Sequence, residues 1–223
     1  MMTIAIAIDG PSGAGKSTLA KTVAAKLGYL YVDTGAIYRT IGYYMYANAI
    51  APKDSVAVEA ALPKVQAELR YLEDGIQHMF LNGEDVSTQI RLPEMSRYAS
   101  YVSGYGFVRD FLLEVQRDLA RRHNVIMDGR DIATVVLPDA QVKIFLTASP
   151  ETRANRRCKE LVERGTPQPY EQVLQEIIDR DKIDMERDIA PLRQAEDACL
   201  LDTSNLNFQE STDAILKLIG ETV

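Results

Sequence analysis

Gly10-Pro11-Ser12-Gly13-Ala14-Gly15-Lys16-Ser17 is the stretch on which the reading of this chain turns. It satisfies G-x-x-x-x-G-K-[ST] at every constrained position. It also lies between a short apolar run, Thr3–Ile8, and a segment of helical period, 17–27. In that setting the loop's amide hydrogens and the N-terminus of the helix converge on an anion. Glycine lets the backbone wrap closely around phosphate oxygens. Lys16 is then placed to reach the β- and γ-phosphates, and the Ser17 hydroxyl to be a Mg²⁺ ligand. Gly10 to Thr18 are read as the phosphate-binding segment of a nucleoside triphosphate site.

Outward from the loop the pattern repeats. Residues 29–32, 124–127, 142–146 and 198–201 are further short apolar runs, each followed by Asp, Thr or Ser and then a helical segment. Short continuous apolar strands separated by helices imply a parallel sheet buried on both faces. Ligands of such sheets bind beyond the carboxyl ends of the strands, here Asp9, Asp33, Asp128, Thr147 and Asp202. Residues 69–88 break the pattern. Leu69–Leu72, Glu73-Asp74-Gly75, Ile76–Leu81 and Asn82-Gly83 read as small antiparallel strands joined by tight turns. Residues 150–190 are dense in charges of both signs and carry Arg164-Gly165-Thr166-Pro167-Gln168-Pro169, which predicts two helices joined at a tip that forms a mobile lid. The fold class is therefore α/β: a parallel five-stranded P-loop kinase core with helices on both faces, a small antiparallel β insert, and a helical lid.

Composition excludes other classes. The chain has 223 residues, 46% hydrophobic and 26% charged, with 13 Gly and 9 Pro, which is neither a disordered nor a collagenous balance. A net charge of −7, from 32 acidic against 25 basic side chains, argues against general nucleic-acid or anionic-membrane binding. Cys158 and Cys199 cannot staple a chain of this size and read as idle thiols of a reducing compartment. No secretion signal or membrane span is legible, so a cytoplasmic protein, and a monomer, is expected.

The second half of the site is marked by arginines. Asp33-Thr34-Gly35-Ala36-Ile37-Tyr38-Arg39 closes the second strand and opens a helix that Thr34 is expected to cap. Arg109 falls in a later helix. Asp128 in Asp128-Gly129-Arg130-Asp131 ends an apolar strand, the place of an acid that holds Mg²⁺ or its water. Arg153, Arg156 and Arg157 share one face of the first lid helix by spacing, and Arg180, Asp184 and Arg187 one face of the next. Solvated ion pairs are the plain alternative for each alone, but their grouping suits a pocket for a second phosphate, which arginine grips bidentately. His78 and His123 have no partner spacing for a metal or a triad. The tyrosines at 38, 43, 44 and 46 read mostly as core.

Taken in order, Gly10–Thr18, the Asp33–Arg39 segment, Asp128–Asp131 and Arg180-Asp181…Asp184…Arg187 resemble the bacterial cytidylate kinase family, over nearly the whole chain. Residues 76–90 resemble the insert of that family. The resemblance implies ATP and Mg²⁺ as donor and cofactor and CMP or dCMP as acceptor. It also implies an acceptor lobe at about 34–104 and a lid at about 150–187. It implies that Arg39, Arg130 and Arg180 grip the acceptor phosphate, and that Ser100, Arg109 and Asp131 read cytosine. Thr34 would lie beside the acceptor, Asp184 and Arg187 at its sugar and the transferring phosphates, and Arg153, Arg156 and Arg157 at the lid near ATP. Lys16, Arg130, Arg180, Asp184 and Arg187 would carry the catalysis. Two departures bear on sugar and base preference: Thr34 stands where the family often has Ser, and Gly106 where a proline often precedes Val108-Arg109. Another small-molecule P-loop kinase, or an ATP-binding module without transfer activity, are the competing readings of the same loop.

Overall fold

A computed structural model describes residues 3–73 and 75–222. The chain divides into two compact units: residues up to Tyr31 together with those from Ala120 onward, and Val32–Leu119.

The first unit is built on the expected strands β1 (Ala5–Asp9), β6 (Val125–Gly129), β7 (Val142–Thr147) and β8 (Cys199–Asp202), together with the start of β2 (Leu30–Asp33), whose last two residues open the second unit. They form one five-stranded sheet in the order β2-β6-β1-β7-β8. β1 pairs in parallel with both β6 and β7, so the chain leaves the centre of the sheet at Asp9 and enters the glycine-rich loop. A strand flanked on both sides and covered on both faces is apolar up to its carboxyl end, and every residue of β1 and of β6 is buried, Asp9 and Asp128 at their ends included.

Helix α1 (Lys16–Leu27) follows the loop and turns Leu19, Ala20, Val23 and Ala24 inward, one face of a 3.6-residue period. These pack with Ile6, Ile8, Ile126, Ile144 and Leu146 of the sheet and with Ile215 and Ile219 of α8 (Phe208–Gly220). α8 opens with a reciprocal Asn207/Glu210 capping box, which satisfies two amides that the helix leaves unpaired. Helices α6 (Pro150–Glu163) and α7 (Tyr170–Glu186) flank the expected tip at 164–169, which is exposed throughout. Ala154, Leu161, Val173 and Ile177 form their shared core.

The second unit holds α2 (Thr34–Ala47), α3 (Ser55–Ala61), α4 (Pro93–Val102) and most of α5 (Gly106–Arg122). It also holds the antiparallel sheet β3 (Ala67–Tyr71), β4 (Gln77–Leu81) and β5 (Glu84–Asp85). The unit runs on past residue 104 to Leu119. Of the two expected turns, Asn82-Gly83 has both residues at positive φ, 50° and 89°, as a tight hairpin turn between twisted strands demands. The other contains Asp74, which lies outside the described residues, though its flanks are paired from Tyr71 to Gln77. Tyr46 departs from the core expectation. It is exposed and meets Tyr98 edge to face, because its position falls on the outer side of α2.

Gly10 is the tightest point of the fold. Its φ is +148°, and a Cβ placed there would stand 1.9 Å from the Leu146 carbonyl oxygen. Gly10→Ala is expected to destabilise the protein by about 3 kcal/mol, and so to lower the thermal midpoint by about 10 °C. Gly220→Ala, where a Cβ meets nothing, should leave it nearly unchanged. Thermal unfolding followed by circular dichroism compares the two.

Candidate active site

The loop from Gly10 to Gly15 keeps its glycines at positive φ, with Gly13 at 76° and Gly15 at 93°. Three of its carbonyls accept hydrogen bonds from cations. Lys16 Nζ donates to the Pro11 oxygen at 2.7 Å. Arg153 Nη1 donates to that of Ser12 at 3.1 Å and Arg156 Nη1 to that of Ala14 at 3.2 Å. Lys16 is only 5% exposed. Burial, reinforced by the like charge of Arg130, pushes its ammonium down to about 7, against the pull of Asp128 and Asp9.

Ser17 and Asp128, the two residues expected at the metal, meet: Ser17 Oγ donates to Asp128 Oδ2 at 2.8 Å. The other carboxylate oxygen of Asp128 accepts from the Tyr31 hydroxyl at 2.9 Å. A hydroxyl and a carboxylate converging at the foot of the loop are the hard oxygen donors that Mg²⁺ prefers.

Just past the end of the same strand, β6, Arg130 Nε donates to Asp184 Oδ2 at 2.8 Å. Burial alone would raise the Asp184 carboxyl, but Arg130 and Arg180 hold it below the ordinary range of aspartate. Arg187 Nη2 lies 3.6 Å from Asp131 Oδ1. Arg187 does not share a helical face with Arg180 and Asp184, since α7 ends at Glu186 and Arg187 is already extended. Its Nε donates to the Ala190 oxygen at 2.8 Å, and it is this turn of chain that brings it to Asp131.

Asp9 lies beneath this cluster and accepts from the amides of Ile132 and Ala133 at 2.8 and 2.7 Å. Burial pushes its carboxyl up to about 7, in spite of those two amides. It fixes the backbone directly after Arg130 and Asp131. Sequence reasoning noted Asp9 only as a strand end; its burial and its distant amide partners could not be read from spacing.

The three α6 arginines share a spacing but not an environment. Arg153 is 3% exposed and bidentate to Asp181. Arg156 Nη2 donates to the Thr203 oxygen at 2.8 Å. Arg157 stands half-exposed beside Glu160. Thr18 is exposed at the start of α1.

In the second unit, Asp33 rather than Thr34 caps α2. One oxygen accepts from the Ala36 amide at 2.8 Å and the other from Arg39 Nη2 at 2.8 Å. A carboxylate at the cap both satisfies the amide and fixes an arginine one turn on, which the shorter Thr hydroxyl cannot do. Thr34 is the first helical residue and is buried. The side chain of Gln77, from β4, clamps the Asp33 backbone, accepting from its amide at 2.7 Å and donating to its carbonyl at 3.2 Å. Arg109 is buried, donates to the Ser103 oxygen at 3.1 Å and lies 5.5 Å from the Tyr38 ring centroid. Ser100 Oγ and Arg39 Nε are buried with no hydrogen-bond partner among the described residues. Such groups are costly unless a ligand completes them. Gln77, Tyr31 and Asp181 carry no site signal in the sequence, because each acts through a partner that folding alone brings near.

Parallel sheet, glycine-rich loop, loop lysine and a Ser–Asp oxygen pair together define a P-loop protein of the small-kinase class. The chain belongs to the cytidylate kinase family, whose model matches residues 6–221. A cytidylate kinase of Caldicellulosiruptor bescii is 48% identical over 223 residues, covering 100% of this chain and 98% of that one. Those of an Exiguobacterium species and of Thermosipho melanesiensis are 48% and 46% identical over 98% and 99% of this chain, and over 97% and 98% of their own. Among solved structures, a shikimate kinase from Bacteroides thetaiotaomicron matches 97% of this chain and 98% of its own at 15% identity, with a TM-score of 0.47. No helix among the described residues is long and apolar enough to cross a membrane.

Because Asp184 is held below its unfolded value, the unfolded chain binds the extra proton first. The stability it contributes is complete above about pH 4, the unfolded aspartate range, and is lost as pH falls through its lower folded value. Asp184→Asn is expected to cost about 3 kcal/mol at pH 7 by leaving Arg130 without its counter-charge. It should also flatten the acid limb of stability. Urea unfolding of both proteins between pH 3 and 7 measures the two effects.

Proposed function

We propose that the chain transfers the γ-phosphoryl group of ATP to the phosphate of CMP or dCMP, giving ADP and CDP or dCDP. The observation that carries this reading is the full-length likeness to cytidylate kinases at nearly half identity. The chemistry of the site agrees with it. The nucleophile is an oxygen of the acceptor's own phosphate, largely dianionic near neutrality with a second pKa of about 6, so no general base is needed. Two polyanions must be brought into line, which makes repulsion and positioning the obstacles.

Lys16 and the loop amides take the β- and γ-phosphates of the donor. Mg²⁺, held by Ser17 and Asp128, would neutralise charge on the donor phosphates. Arg39, Arg130 and Arg180 grip the acceptor phosphate, and Asp184 and Arg187 serve its sugar and the group in transfer. Ser100, whose hydroxyl has a bond to spare, reads cytosine with Arg109 and Asp131, while Thr34 lies beside the nucleotide. The helices of 150–187 close over the donor and exclude water, with Arg157 the α6 arginine that is paired only to a neighbour on its own helix, Glu160, in the bonds described, where Arg153 and Arg156 are tied to loop carbonyls.

ADP formation from ATP and Mg²⁺ is measured with CMP, dCMP, UMP, AMP and GMP offered separately. Turnover on CMP and dCMP, weak on UMP and absent on the purines, is expected; a better acceptor among the others would overturn the base assignment. Lys16→Ala should lower kcat by about a hundredfold or more. Arg39→Ala should raise KM for CMP by about tenfold to a hundredfold, the worth of a charge-assisted hydrogen bond. An unchanged kcat in the lysine variant would refute its role.

A further inference from the structure

The sequence places Arg153 among the residues that reach toward ATP, but the structure has already used its guanidinium. Nε donates to the Ala148 oxygen at 2.8 Å. Nη1 donates to the Ser12 oxygen at 3.1 Å and to Asp181 Oδ1 at 3.0 Å, and Nη2 to Asp181 Oδ2 at 2.6 Å. With four of its donor contacts spent inside the protein and 3% of its surface exposed, it keeps no open edge for a nucleotide.

Its contact with Ser12 has a geometric consequence. In a trans peptide the carbonyl and the following N–H point in opposite directions. Drawing the Ser12 oxygen toward Arg153 therefore turns the Gly13 amide to the other side of the loop, the concave side from which such loops bind phosphate. The loop packs directly on this side chain: a Cβ on Gly13 would stand 3.4 Å from the Cβ of Arg153. Asp181 holds the other arm of the fork and sits on α7 between Arg180 and Asp184, so one guanidinium ties the phosphate loop to that helix. A planar, five-donor fork can grip one carboxylate with two bonds and still serve two carbonyls, four bonds that the three N–H groups of an ammonium cannot supply.

We propose that Arg153, with Asp181 as its counter-carboxylate, is a positioning residue for donor binding: it holds the Ser12–Gly13 peptide with its amide toward the phosphate and does not itself touch ATP. This rests on the reading of the loop as the ATP site. It is independent of which acceptor is used.

The full-length protein and the variants Arg153→Lys, Asp181→Asn and the double variant are titrated calorimetrically with the magnesium complex of a β,γ-methylene ATP analogue, without acceptor. Thermal unfolding first establishes that each is folded at 25 °C, and Asp181→Glu replaces the amide variant if that one is not. Arg153→Lys is expected to bind about tenfold more weakly and Asp181→Asn about threefold to tenfold more weakly. The double variant should be no weaker than Arg153→Lys, since the two residues act as one unit. In parallel, the shift of the Gly13 amide resonance on adding the analogue should be present in the wild type and diminished in both single variants. A weak Arg153→Lys beside a wild-type Asp181→Asn would make Arg153 a direct ligand and overturn the proposal. Wild-type affinity and an unchanged Gly13 shift in both would reduce the pair to a tie between helices. Failure of the wild type to bind the analogue would instead overturn the donor reading, and this inference with it.

Discussion

A loop of backbone amides binds phosphate only if its carbonyls are turned away from the anion and satisfied elsewhere. An unpaired carbonyl facing a phosphate would repel it, and one buried without a donor would cost about as much as the bond it lacks. In this chain the oxygens of Ser12 and Ala14 are taken by Arg153 and Arg156. Those cations need anchors of their own, which Asp181 and the backbone of Thr203 provide. Gly10 completes the arrangement, since the strand can enter the loop only by passing against the Leu146 carbonyl, where no side chain fits. Much of the first unit, from the sheet order to the placement of α6 and α7, serves to keep this loop in one conformation.

The same logic governs the arginines. Within each unit the arginines are held by carboxylates: Arg130 by Asp184 and Arg187 by Asp131 in the first, Arg39 by Asp33 in the second. Pairing pre-orients the guanidinium groups and offsets the cost of burying their charge. Preorganised cations of this kind stabilise charge in transfer without having to rearrange at the moment of reaction.

In the second unit the antiparallel insert does more than add surface. Through Gln77 it grips the Asp33 backbone from a position 44 residues away, and Asp33 in turn caps α2 and orients Arg39. The conformation of the segment that opens α2 is thus set by a strand that local sequence gives no reason to place there.

The sequence by itself determined the parts whose physics is local. The loop motif, the strand-then-helix alternation, the tight Asn82-Gly83 turn and the helical hairpin around 164–169 are each encoded within a few residues. So is the chemistry of the phosphate-binding segment, because glycine conformation and the charge of an adjacent lysine need no distant partner. The meeting of Ser17 with Asp128 was legible as well, since a parallel sheet brings the ends of neighbouring strands together. Tertiary structure alone decided what depends on contacts far apart in the chain. It set Gln77 against the Asp33 backbone, sent Arg153, Arg156 and Arg157 to three different environments from one helical face, and drew Arg187 off the end of α7 toward Asp131. Helical spacing fixes where a side chain starts. The partner at the far end of a long guanidinium arm is set by the packing of the whole unit, and periodicity carries no record of it.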